Sequence, residues 1–94
     1  GSTSDRSGID IVMTNEKTNK SAKFQVKPLT SIEETEDGYL VNTYNVTGLD
    51  KKPVDYFVFA SYTVDDVYIF RNKKEGYEVL GPTKILFKDK PVEF

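Results

Sequence analysis

The sequence predicts a small all-β domain: an antiparallel sheet, or a partly open barrel, with at most one short helical turn. Three observations lead there. Runs of β-branched and aromatic residues recur along the 94 residues, and such residues fit a pleated, half-buried surface. Turn signals separate these runs at short intervals. No segment carries apolar residues at i, i+3, i+4 and i+7 over the length of a helix.

The elements follow in order. Residues 1–8 are polar and glycine-containing and read as a flexible leader or tag remnant, with one β domain expected over residues 9–94. Residues 9–14 form the first strand candidate, and the polar stretch 15–21 is turn-like. Residues 22–29 resume a strand. There Phe24 and Val26 share one face while Lys23, Gln25 and Lys27 take the other, the alternation of a half-exposed strand. Pro28 limits pairing near its end.

Residues 30–38 hold Glu33, Glu34, Glu36 and Asp37 and read as a solvated loop or one helical turn. Asp37 and Gly38 are a turn pair ahead of a β-rich run over residues 39–47. Residues 48–53, opening with Gly48 and closing with Pro53, read as a hairpin loop.

Residues 54–62 are apolar on both faces, with Val54, Tyr56, Val58 and Ala60 opposite Phe57 and Phe59. This is the pattern of a central strand covered on both sides. Further strands are expected over residues 67–71, 77–80 and 83–87, separated by the turn 72–76 and by Gly81 and Pro82. A set of short strands with frequent turns fits a small barrel of the OB or SH3 kind.

Composition narrows the function. Apolar residues make up 37% and charged residues 30%, with six Phe, six Tyr, one Met and no Trp. The core must therefore come from Phe, Tyr, Val, Ile and Leu. There is no His and no Cys, so imidazole acid–base work, thiolate chemistry and soft-ligand metal sites are out of reach. The expectation is a protein without catalytic activity, cofactor or transition-metal site. A net charge of −2 with both signs interspersed disfavours nucleic-acid binding driven by a positive field. No apolar run reaches the ~20 residues of a membrane-spanning helix.

Several constellations could carry chemistry. Asp65 and Asp66 form a carboxylate pair between Tyr62 and Tyr68, but a calcium loop needs alternating ligands and a sharp-turn glycine that this stretch lacks. The pair reads as a turn. The acidic run from Glu33 to Asp37 reads as a solvated loop. Lys51 with Lys52, and Arg71 with Lys73 and Lys74, lie near tyrosines, an arrangement shared with single-strand nucleic-acid binders. Lysine is also the ordinary solubiliser of loops and edges. Asn45, Val46 and Thr47 match the glycosylation triplet.

Residues 23–59 carry a resemblance. Phe24-Gln25-Val26-Lys27, then Asn42 to Gly48 and the loop Leu49-Asp50-Lys51-Lys52-Pro53, resemble the opening strand and the later strand–loop–strand of the YxeA-like small secreted proteins of Gram-positive bacteria. The resemblance implies a small β-barrel, exported and lipoprotein-like in being tethered at the cell surface, with no catalytic residues to carry over.

The function expected is binding of another protein or a cell-surface component by an exported, extracellular or surface-associated domain that is itself a monomer. The alternatives are an oligonucleotide-binding barrel and a structural accessory domain of a larger chain. The partner-binding residues expected are Tyr62, Asp65, Asp66 and Tyr68, with Lys51 and Lys52 from the preceding loop. Exposed aromatics aligned with Lys on one sheet face would favour nucleic acid. An exposed apolar patch without basic residues would favour a protein.

Overall fold

The computed structural model of the chain describes residues 10–62 and 66–93. The leader expected over residues 1–8 and the expected binding residue Asp65 lie outside them. Eight strands run β1 (Ile11–Asn15), β2 (Lys20–Pro28), β3 (Ser31–Thr35), β4 (Gly38–Asn42), β5 (Tyr56–Ala60), β6 (Val67–Arg71), β7 (Tyr77–Val79) and β8 (Lys84–Phe87). One 3-10 turn, Leu49–Lys51, interrupts the connection from β4 to β5. The all-β class holds. The chain does not close into a barrel, however: it forms two four-stranded sheets, ordered β1-β2-β5-β6 (sheet A) and β3-β4-β8-β7 (sheet B).

Local chemistry sets the joints. The β1–β2 turn is held by Asn15, whose side-chain oxygen accepts the Lys17 N–H at 2.9 Å and whose carbonyl accepts the Asn19 N–H at 2.7 Å. Asn19 sits at φ 58, a left-handed conformation that Asn tolerates. At the other end of β2 the chain changes sheet. The Leu29 N–H bonds Ala60 in sheet A at 2.8 Å, and the next N–H, of Thr30, bonds Asn42 in sheet B at 2.9 Å.

The acidic stretch expected as a loop is strand β3. Its Ile32 and Glu34 lie opposite Val41 and Tyr39 of β4, while Glu33 and Glu34 stay exposed at the sheet edge. The strand expected over 39–47 stops at Asn42. Beyond it the Thr43 and Val46 N–H groups bond Thr83 and Pro82, each at 2.9 Å, and both side chains are buried.

Nor are residues 48–53 a hairpin loop. They carry the chain from sheet B back to sheet A, where β5 pairs with β2 in parallel. Adjacent strands of opposite sheets cannot be joined by a hairpin turn, and the crossover buries Val46, Leu49 and Val54.

The core lies between the sheets. Phe57, Phe59 and Phe70 from sheet A meet Val41, Ile85 and Phe87 from sheet B. The apolar side of β5 expected in the core is there: Phe57 and Phe59 are both 0% exposed. β2 brings a polar group to the same layer. Its parallel register sets Gln25 beside Phe57 and Lys27 beside Phe59, so the polar side of its alternation is the one that faces inward. Gln25 is buried and donates to the Asp10 carboxylate at 2.8 Å. Lys27 reaches out to the Asn45 carbonyl at 2.7 Å.

Candidate partner-binding face

The inward turn of Gln25 sends Phe24 and Val26 to the opposite side, and register does the rest. Cross-strand partners share a face, so the outer side of sheet A carries a row of Ile11, Phe24, Tyr56 and Arg71 and a second row of Val26, Val58 and Ile69. A third row holds Pro28, Ala60 and Val67. Met13 is 61%, Val67 56% and Ile11 45% exposed, and the β2 and β5 side chains among them are half-buried.

None of the side chains in these rows belongs to the core cluster or packs against it. The expectation that β5 is covered on both sides therefore holds on the inner side alone. The outer side of sheet B is different in kind: Ser31, Glu33, Asn42, Glu78 and Lys84 alternate there with Leu40 and Leu86.

Part of the face is held rigid. The rings of Phe24 and Tyr56 stack with centroids 5.1 Å apart and planes 18° apart. The Arg71 guanidinium lies 5.6 Å from the Tyr56 centroid and donates to the Tyr56 hydroxyl at 3.3 Å. Such contacts are worth about 0.5–1 kcal/mol each at a surface. Together they tie two large rings and one guanidinium to each other on this face.

The expected binding residues are distributed differently. Tyr62 is 84% exposed, and Asp66 sits beside it, its carbonyl accepting the Ser61 N–H at 3.0 Å. Tyr68 points the other way, half-buried against the core. Lys51 and Lys52 lie at the opposite end of β5 from Tyr62 and Asp66. A strand rises ~3.3 Å per residue, so the two loops make separate surfaces.

The sequence carries half of the signal for this face: β5 is apolar on both sides, and Phe24, Val26, Val67 and Ile69 are apolar, but only the register shows that they share one side.

Two open clefts lie elsewhere. One, of about 460 Å³, is floored by Phe70 and Phe87 and rimmed by Arg71, Lys90 and Glu93. The other, of about 590 Å³, lies between Thr47, Asp50, Tyr77 and Pro82. Each mixes charges or offers few polar groups, and neither presents a nucleophile beside a base. Among the described residues no group of three acidic, His or Cys side chains is placed to hold a metal ion, and no helix is long and apolar enough to cross a membrane.

Two tyrosines in these regions titrate high. Burial raises the Tyr39 hydroxyl above its ordinary value, helped by the charge and hydrogen bond of Glu34 and by Glu93. Burial and the Asp50 charge raise Tyr77. The ionised phenol is thus favoured in the unfolded chain. Stability from these groups is complete below the ordinary tyrosine value near ~10 and is lost as pH climbs through the raised folded values. A near-ultraviolet titration is expected to contain two late-ionising phenols, with one lost in Tyr39→Phe and one in Tyr77→Phe. An unaltered curve in both variants would contradict this.

No protein family, curated protein or solved structure matches this chain.

Proposed function

We propose that this chain is a non-catalytic binding domain whose docking surface is the outer face of sheet A, and that its partner is a protein. The observation that carries the reading is the uncovered apolar face itself: three rows of side chains with Arg71 as their only charge. A contiguous exposed apolar patch on a small domain marks an interaction site. The stacked Phe24 and Tyr56 supply the rigid aromatic anchors that dominate binding energy at such sites.

A nucleic-acid partner would call for a row of cations beside the aromatics, and a single Arg71 supports it poorly. Export and attachment at the cell surface, as the YxeA-like resemblance implies, belong to the same proposal and rest on residues 23–59.

The test compares the wild-type chain with Val67→Glu and Val58→Glu, and with Leu40→Glu on sheet B as control, each verified as folded by circular dichroism. Partners captured by the wild type are purified and their affinities measured directly. Binding is expected to fall at least tenfold in the two sheet A variants, to persist in Leu40→Glu, and to vary little with salt. Equal affinity in all four proteins would remove this face as the docking surface. A steep fall of affinity with ionic strength would point to nucleic acid instead.

A further inference from the structure

Four strands end the two sheets, and three of them carry a feature that discourages pairing. β3 exposes Glu33 and Glu34. β7 is three residues long with Glu78 at its centre. β6 is met by the C-terminal segment, whose Val92 N–H bonds the Ile69 carbonyl at 2.7 Å. Charges, shortness and a covering segment are the usual ways a sheet edge is kept from templating another strand.

Among the described residues, β1 has none of them. It is five residues long, uncharged and free of proline, and all five residues are exposed. Val12 stands on the core-facing side of sheet A, yet is 56% exposed. Among the described residues, no strand pairs with its outer edge.

We propose that β1 pairs antiparallel with β1 of a second copy of this chain about a two-fold axis, joining two copies of sheet A into one continuous sheet. A two-fold contact must be self-complementary, and β1 is. Centred on Val12, the pairing sets Val12 against its own copy, Ile11 against Met13 and Asp10 against Thr14. No like charges meet. Centred on Met13, it would set Asp10 against Glu16, a pairing of two acids that costs stability. The same operation on β3 or β7 brings glutamates together.

In the Val12 register each exposed Val12 is covered by its mate, and the apolar rows of both sheets run side by side. The inference goes beyond the docking proposal and does not depend on what binds the outer face. It departs from the monomer expected of the sequence, because an unguarded edge becomes visible only once the strand order is known. One five-residue ladder buries less than the ~1,200 Å² of a stable complex, so the dimer is reversible, with half-association at roughly 10⁻⁵–10⁻³ M.

The experiment is sedimentation of the full chain from about 10 µM to about 2 mM, a range set by that estimate, for wild type, Val12→Lys and Val12→Glu. Wild type is expected to dimerise with rising concentration. Each variant alone should associate at least tenfold more weakly, because the two-fold places like charges in direct opposition. An equimolar mixture of the two variants should recover association as a heterodimer. Amide hydrogen exchange at both concentration limits supplies a check without mutation: protection is expected to appear in β1 of the concentrated wild type. A wild-type monomer throughout, dimerisation unchanged by both variants, no recovery on mixing, or no added protection in β1 would each overturn the proposal. Loss of partner binding in Val67→Glu without change in association would leave it standing, so the two proposals fail separately.

Discussion

Replacement of Phe87 by alanine is expected to destabilise the domain by about 3–5 kcal/mol. The ring is 2% exposed and belongs to sheet B, but most of its neighbours come from sheet A. It stacks on Phe70 with centroids 4.1 Å apart and planes 8° apart. It also meets Phe59 at 5.7 Å and Phe57 at 6.1 Å, and Tyr77 at 5.6 Å. Truncation removes a contact shared by four rings that β5, β6 and β7 hold in place, so the cavity cannot simply collapse.

A domain of this size has about 5–10 kcal/mol to lose, and the variant should forfeit roughly half of it. Urea denaturation, with the midpoint falling at unchanged slope, measures the loss. Phe57→Ala and Phe59→Ala should fall in the same range, both rings being fully buried. Phe24→Ala is the informative contrast. Its ring is half-buried on the outer face with Tyr56 as its stacking partner, and about 1–2 kcal/mol is expected. Equal losses at Phe24 and Phe87 would mean that sheet A is buried on both sides. Losses under about 1 kcal/mol at Phe57, Phe59 and Phe87 would deny the sandwich core.

How far the sequence could lead is visible in particular strands. β6 lies over the residues its alternation predicts, Val67–Arg71, and β5 contributes Phe57 and Phe59 to the core as expected. Local pattern is enough where a strand is apolar and its ends carry turn residues.

β3 escapes because its stabilisation is tertiary. Ile32 is its one apolar side chain packed against the core, and two exposed glutamates dominate its composition. The partition into two sheets is hidden for a related reason. β2 finds β5 in parallel across more than thirty residues, and no local signal encodes that pairing. Without it, neither the burial of Gln25 nor the apolar outer face can be derived. The apolar outer face follows from register, whereas loop residues such as Tyr62 draw attention in a sequence because their composition is legible without it.

Gly38→Ala is expected to cost about 3 kcal/mol or more, through backbone sterics rather than lost side-chain packing. Gly38 opens β4 directly after the β3–β4 turn, with φ +140, a conformation that L side chains rarely adopt. A Cβ built there would stand 2.1 Å from the Phe87 carbonyl oxygen and 3.0 Å from its carbon. The obstacle is main chain, so no rotamer change relieves it. β4 and β8 would have to part where Tyr39 lies opposite Phe87, which carries the strain into the aromatic cluster at the centre of the core.

Gly48 separates the two causes. Its φ is +75, yet nothing lies within 4 Å of the corresponding Cβ. Gly48→Ala should therefore bear only the left-handed backbone penalty, about 1–2 kcal/mol, and Gly48→Asn should bear less because Asn tolerates that region. Denaturation of all three variants decides between the causes. A large loss at Gly38 with a small one at Gly48 fits close approach of β8. Equal losses at the two glycines would mean that backbone conformation alone sets the cost, and that β8 does not lie against the start of β4 as closely as this packing requires.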